Sequence, residues 1–280
     1  MLGALNDFCG ESDIRAGSLP ARMAEFYRST PDYDAFKEPT SRPEFWDPVV
    51  SAIARIANRG ETCRVLEFGA GRTGFGRYLG PLRKQVRFDV QDITDRNRGY
   101  LASEADNVHI GDIFALEGPY DVIFSTFAWE HVSRPRAILD HLLRMLTPLG
   151  VLFLASPRYD FPGYLSPSAK RYSRMARGGI AVWLVWRRLR SLVSGHSAFL
   201  LHVEPAALHG TWFRDADAIH WVSLLDLQAG LEKQWDIRRI RIPAFGLAGR
   251  FWEKFLLMFV AIQRSESGRA DKIPEAERST

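Results

Sequence analysis

From Arg64 onward, short apolar runs alternate with stretches of helical spacing, the pattern of a parallel sheet wrapped by helices. Strands are predicted at Arg64–Phe68, Val86–Asp92, Val108–Ile110, Tyr120–Ser125 and Val151–Ala155. A helix through Phe75, Tyr78 and Leu79 is expected after the first strand. Another is expected from Pro135 to Leu146, followed by a turn at Thr147-Pro-Leu-Gly150. Further on come a helix over Ser223–Lys233 and strands at Trp235–Ile242 and Phe255–Gln263. Upstream, Pro20, Pro31, Pro39 and Pro43 break any long helix, until Pro43 itself opens one. Phe45, Trp46, Val49, Val50, Ile53 and Ile56 give that helix one apolar face, and Gly60 ends it. Residues 157–215 interrupt the rhythm with Pro157, Pro162 and Pro167, several aromatics and a cluster of arginines.

Composition narrows the class only a little. The chain has 280 residues, 46% hydrophobic and 25% charged, enough to bury a full α/β core. A formal charge of +4, with Lys and Arg scattered over the length, permits an acidic partner without requiring one. Cys9 and Cys63 match neither a zinc pattern nor a disulfide framework, and Cys63 reads as a small core residue. The first residues carry no basic start ahead of a long apolar stretch, so no secretory signal is expected. The apolar run Gly179–Trp186 is cut by Arg187 and Arg188, short of the roughly 20 residues that a membrane crossing needs. A cytoplasmic location is expected.

The strongest local signal is Val65–Gly74, VLEFGAGRTG. A buried strand ending in a glycine turn places a ligand at the strand's carboxyl edge, and Gly69 and Gly71 let the backbone pass close to it. Gly69, Gly71 and Gly74 also fit the G-x-G-x-x-G spacing of dinucleotide sites, so the turn alone leaves two cofactors open. Glu67, two residues ahead of the first glycine, separates them, because a dinucleotide site has no use for a carboxylate near its pyrophosphate.

At Glu67-Phe-Gly-Ala-Gly71 the chain resembles the class I S-adenosylmethionine-dependent methyltransferases of the small-molecule type, whose first motif runs acidic-x-Gly-x-Gly. The frequent third glycine of that motif falls here on Thr73. The likeness continues in order through Asp92-Ile-Thr94, Gly111-Asp112-Ile113 and the long segment Tyr120–Pro157, where Leu149 replaces a common glycine. It implies a Rossmann-like seven-stranded α/β sheet, mostly parallel, with helices on both faces and an insertion after the fifth strand. It implies S-adenosyl-L-methionine as cofactor. The implied binding set is Glu67, Gly69, Ala70 and Gly71 at the first turn and Asp92 at the ribose, with Asp89 as its competitor. Asp112 and Ile113 are implied at the adenine, with Thr126 or Phe127 at the end of the fourth strand. Asp112 also reads as a turn or cap residue.

The expected organisation is an N-terminal helical lid over residues 1–60, a methyltransferase domain over 61–264 with a specificity insertion at 157–215, and a disordered tail over 265–280. The expected activity is methyl transfer to a small-molecule acceptor such as a sugar, glycan or lipid-linked intermediate. A nicotinamide-dependent oxidoreductase and a non-catalytic binding protein are the alternatives. His131, beside Glu130, is the candidate general base, with a turn-orienting role as the plainer reading. No metal is expected, since His202, His209 and His220 show no ligand spacing. Tyr159, Phe161, Tyr164 and Tyr172, mixed with Arg158, Lys170, Arg171, Arg174 and Arg177, suit an acidic or sugar-like acceptor. Peripheral membrane contact through 180–193 is the least expected use of the insertion, and no nucleic-acid partner is expected.

Overall fold

The computed structural model describes residues 2–11, 18–30 and 40–265. Among the described residues, nine strands form two sheets. β1 (Phe8–Gly10) pairs antiparallel with β7 (Leu200–His202). The other seven, β2 (Cys63–Phe68), β3 (Val86–Asp92), β4 (Asn107–Ile110), β5 (Tyr120–Thr126), β6 (Leu146–Pro157), β8 (Trp235–Arg239) and β9 (Leu257–Arg264), lie in the order β4-β3-β2-β5-β6-β9-β8. β4, β3, β2, β5 and β6 run parallel, and β9 is antiparallel to both β6 and β8. This is the Rossmann-like, seven-stranded, mostly parallel sheet expected from the sequence.

The strands are apolar on both faces because both are covered. Val65 and Phe124 point into a cluster with Phe45, Trp46 and Val49 of α3 (Pro43–Ala57). Their neighbours Leu66 and Ile123 point into the opposite cluster, with Leu139 and Leu142 of α5 (Pro135–Arg144) and Leu227 of α7 (Leu224–Gly230). The remaining helices are α1 (Leu2–Leu5), α2 (Ser18–Ser29), α4 (Arg98–Glu104), α6 (Arg174–Ser194) and α8 (Gly246–Phe251).

Three expectations change. No α-helix follows the glycine turn: Phe75–Tyr78 and Gly80–Gln85 are 3-10 turns, since Gly74, Gly76, Gly80 and Pro81 deprive the segment of helix propensity. The turn expected at Thr147–Gly150 is absorbed into β6, which begins at Leu146 opposite Tyr120 and shifts register before Val122. β8 stops at Arg239, short of Ile242. Of the tail expected to be disordered, residues 266–280 lie outside the described residues.

The chain runs from β2 outward to β3 and β4, then crosses back to β5. The carboxyl ends of β2 and β5 therefore diverge, which opens a crevice at this switch point. α2 reaches over this region from the N-terminal side. Its Arg22 donates both guanidinium arms to Glu204 at 2.8 Å, and its Tyr27 hydroxyl donates to Asp217 at 3.0 Å.

Candidate active site

The crevice is lined by Gly69 and Gly71 after β2, Gln91 and Asp92 ending β3, Gly111–Ile113 after β4, Phe127–Ala128 after β5, and Met23 and Tyr27 of α2. Its shape rests on the glycine turn. Gly69 (φ +69°) and Gly71 (φ +54°) are both left-handed. The Gly69 N–H donates to Gln91 Oε1 at 3.3 Å, and the Gly71 N–H donates to Asp92 Oδ2 at 2.7 Å. Asp92 Oδ1 accepts from the Thr94 N–H at 3.0 Å, so the carboxylate is fixed from both sides while it borders the crevice. Burial raises its pKa against those two bonds.

Asp89 points elsewhere. It is buried, accepts from Asn107 Nδ2 at 2.6 Å and from the Tyr120 hydroxyl at 3.1 Å, and does not border the crevice. Asp112 borders the crevice and is also a cap: its Oδ1 accepts from the Phe114 N–H at 3.2 Å, and its Oδ2 pairs with Arg134 at 2.7 Å. Glu67 lies beneath the glycine turn, 2% exposed, with Oε2 buried and unpartnered. Burial pushes its carboxyl up to about 8, a hydrogen bond from Thr73 works against that, and the Asp92 charge adds to it.

A family model described as a methyltransferase domain matches residues 40–233, more than half of the chain. The chain belongs to this methyltransferase domain family. Among solved structures, the methyltransferase is similar to the plantazolicin methyltransferase BamL, in complex with a triazolic desmethylPZN analog and S-adenosylhomocysteine. There it is 14% identical, covers 87% of this chain and 96% of that one, and has a TM-score of 0.51. It is also similar to the 1,6-didemethyltoxoflavin-N1-methyltransferase of Burkholderia thailandensis, with bound 1,6-didemethyltoxoflavin and S-adenosylhomocysteine, at 13% identity, 91% and 93% coverage and a TM-score of 0.50. At such identities the likeness is one of fold. Against the CurJ carbon methyltransferase, at 17% identity and a TM-score of 0.43, the match covers 74% of this chain and 49% of that one. No curated protein matches the sequence.

Not every residue named from the sequence borders the methyltransferase's crevice. Gly69, Gly71, Asp92, Asp112, Ile113, Phe127 and His131 do. Glu67, Ala70 and Thr126 do not: Glu67 is underneath, Ala70 is turned into the core while its N–H donates to Gln91 O at 2.9 Å, and Thr126 closes the ladder opposite Ala155. Phe127 holds a left-handed backbone (φ +54°), costly for an aromatic residue, and stacks on Phe45 at 6.2 Å. Gln91, Ile93, Asn97 and Arg134, which no sequence motif marks as site residues, also line the crevice.

Nor does a motif mark Asp217 as the partner of His131. His131 Nδ1 lies 3.1 Å from Asp217 Oδ2, and Nε2 lies 4.0 Å from Glu130 Oε1. Asp217 is itself held by Tyr27 and, at 3.1 Å, by Trp212 Nε1. Burial pulls the imidazole's pKa down, but the Asp217, Glu130 and Asp215 charges outweigh it and lift it to about 10. Glu130 is fully buried, with Oε2 accepting from Ser156 Oγ at 2.8 Å and Oε1 left without a partner. Burial raises its carboxyl to about 7, against the pull of His131. Asp215 stands in the left-handed region (φ +52°) and brings a carboxylate oxygen within 4.8 Å of the Glu130 and His131 atoms. In the sequence Glu130 stands next to His131, whereas Asp215 and Asp217 show only as a spaced acidic pair far along the chain.

Two of the basic residues named in the insertion bond within the chain. Arg158 donates to the carbonyls of Phe255 and Lys254 at 2.9 and 2.8 Å, and Arg171 pairs with Asp7. Of the other histidines, His202 and His220 are built into the fold. His202 bonds Ser168 Oγ at 2.9 Å and the Tyr172 hydroxyl at 3.0 Å, and His220 bonds Trp129 O at 3.1 Å.

Proposed function

We propose that the protein transfers the methyl group of S-adenosylmethionine to a small-molecule acceptor, a sugar, glycan or lipid-linked intermediate, in the crevice at the switch point of its sheet. The observation that carries the reading is the meeting, in one crevice, of a cofactor half and a reactive half. Gly69, Gly71 and Asp92 form the first, and His131, which borders the crevice with Glu130, Asp215 and Asp217 packed around it outside the lining, forms the second.

The residues fit the cofactor. The two left-handed glycines leave room for a close backbone approach, and a Cβ at Gly71 would meet only open space. Asp92, fixed through backbone N–H groups, offers a carboxylate suited to a pair of ribose hydroxyls. Asp112 and Ile113 take the adenine end, and the unpartnered Glu67 Oε2 offers a hydrogen-bonding oxygen beneath the methionine end. When bound, the cofactor supplies a methyl group already activated on a sulfonium, so alignment of the acceptor carries much of the barrier reduction.

The acidic cluster does the rest. Asp217 fixes the ring of His131 through Nδ1, which leaves Nε2 facing Glu130. In the free protein His131 is a cation near neutral pH, so it holds a proton at Nε2 and positions an acceptor oxygen. Glu130, poised near 7, receives the proton that a hydroxyl acceptor gives up. Three carboxylates around one imidazole, Glu130 and Asp217 buried and Asp215 half-buried, favour acceptors that bring hydroxyl donors into the cluster. Calorimetric titration with S-adenosylmethionine, followed by turnover on a panel of sugar and lipid-linked acceptors, tests the reading. Absence of binding at millimolar cofactor refutes the assignment, and binding with no turnover on the panel refutes the acceptor class.

A further inference from the structure

Helix α6 has two apolar sides. One packs inward: Ile180, Leu184, Arg188 and Ser191 are buried. Arg188 reaches through this face to Asp226, to the Trp221 carbonyl at 2.8 Å and to within 3.4 Å of Asp160, which anchors the helix on the domain. The other side faces solvent. Met175, Val182, Trp186, Leu189 and Val193 are 81%, 73%, 52%, 56% and 90% exposed. At 3.6 residues per turn their spacing confines them to an arc of about 60°, directly opposite the anchoring face. An ordinary surface helix puts polar residues there.

The charges beside this stripe are all of one sign. Arg174–Ser194 contains five arginines and neither aspartate nor glutamate. Arg187 and Arg190 stand on the flank, with guanidinium groups 5.7 Å from the Trp183 ring and 5.6 Å from the Trp186 ring. A second copy joined through this stripe would set arginine against arginine with no carboxylate in the helix to answer it. A membrane crossing is excluded for this helix, since no helix among the described residues is long and apolar enough. An apolar stripe along a helix of about 30 Å, edged by arginine and tryptophan, has the form of a helix lying in a lipid interface.

We propose that α6 docks the protein on an anionic lipid surface, its outer stripe in the headgroup–acyl boundary and Arg187 and Arg190 on lipid phosphates. The docking stands on α6 alone. Joined to the methyltransferase reading, it makes a membrane-borne acceptor the substrate class.

Sedimentation of the full-length protein with phosphatidylcholine vesicles, with and without phosphatidylglycerol, tests the docking. Binding is expected to require phosphatidylglycerol and to weaken as salt is raised. The combined change Trp186→Ser, Leu189→Ser and Val193→Ser is expected to lower partitioning about a hundredfold or more. Arg187→Gln with Arg190→Gln is expected to cost about fivefold per arginine. Both variants should keep the unfolding temperature and S-adenosylmethionine affinity of the parent, because the stripe faces solvent. That affinity, measured on the same samples, reports on the methyltransferase assignment separately. No binding to phosphatidylglycerol vesicles overturns the docking. So does binding that survives the triple change, or a dimer in solution, lost with the triple change, in a protein that ignores vesicles.

Discussion

Gly69 and Gly71 offer a controlled pair, because both are left-handed but only one is crowded. A Cβ at Gly69 would lie 2.5 Å from the Ala128 Cβ, whereas a Cβ at Gly71 would meet nothing within 4 Å. Gly71→Ala therefore pays the left-handed penalty of about 1–2 kcal/mol, less about 0.4–1 kcal/mol recovered from the stiffer unfolded chain. Its net cost is about 1.5 kcal/mol or less. Gly69→Ala pays the same and adds a carbon–carbon overlap well inside the ordinary 3.5–4.0 Å contact, worth about 1–3 kcal/mol of strain. Its total is about 1–5 kcal/mol, in every case above the Gly71 change by the strain of the overlap. Urea denaturation followed by far-ultraviolet circular dichroism, with both variants compared at constant m, measures the difference. Gly69→Ala should unfold at distinctly lower urea than Gly71→Ala. Equal midpoints would refute the packing argument. Cofactor titration adds a second axis, since Gly71→Ala fills crevice space and should lose affinity out of proportion to its small loss of stability.

Other outcomes follow from the buried charges. Glu67 has a folded pKa of about 8, above its unfolded value of 4.5, so its contribution is fully present below about pH 4.5 and is lost as pH rises through 8. The loss amounts to about 4–5 kcal/mol at about 1.4 kcal/mol per unit. Glu67→Gln should become progressively more stable relative to the parent across that window and level off above it, and a difference that ignores pH would contradict the burial. His131→Ala should leave cofactor affinity nearly intact while lowering turnover about a hundredfold or more; unchanged turnover removes His131 from catalysis. Arg188→Leu strands the buried Asp226 and should cost about 3–5 kcal/mol in urea unfolding, whereas a cost below about 1 kcal/mol would show that α6 is held by something else.

The sheet was legible because its signal is local: each strand of the five parallel ones is a short apolar run bounded by turn residues. The glycine turn and Asp92 were legible for the same reason, as both sit at the end of a strand whose neighbours are a few residues away. The helix expected through Phe75 failed because apolar spacing was weighed without the glycines and the proline around it. The partners of His131 were hidden by distance along the chain, since nothing near Asp217 marks it as the residue that holds an imidazole after β5. β1 and β7, three residues each, are too short to announce a pairing that joins the N-terminus to the insertion. The orientation of α6 is harder to read in the sequence, because two opposed apolar faces blur a single periodicity. Only the position of Arg188 shows which face is turned inward.

The central claim is that Asp92 and the glycine turn hold S-adenosylmethionine. Calorimetric titration of the parent, Asp92→Ala and Asp89→Ala with that cofactor tests it most directly. The parent should bind. Asp92→Ala should lose far more affinity than Asp89→Ala, whose carboxylate is occupied by Asn107 and Tyr120 away from the crevice. A parent that fails to bind at millimolar cofactor, or an affinity lost with Asp89 and kept with Asp92, would contradict it.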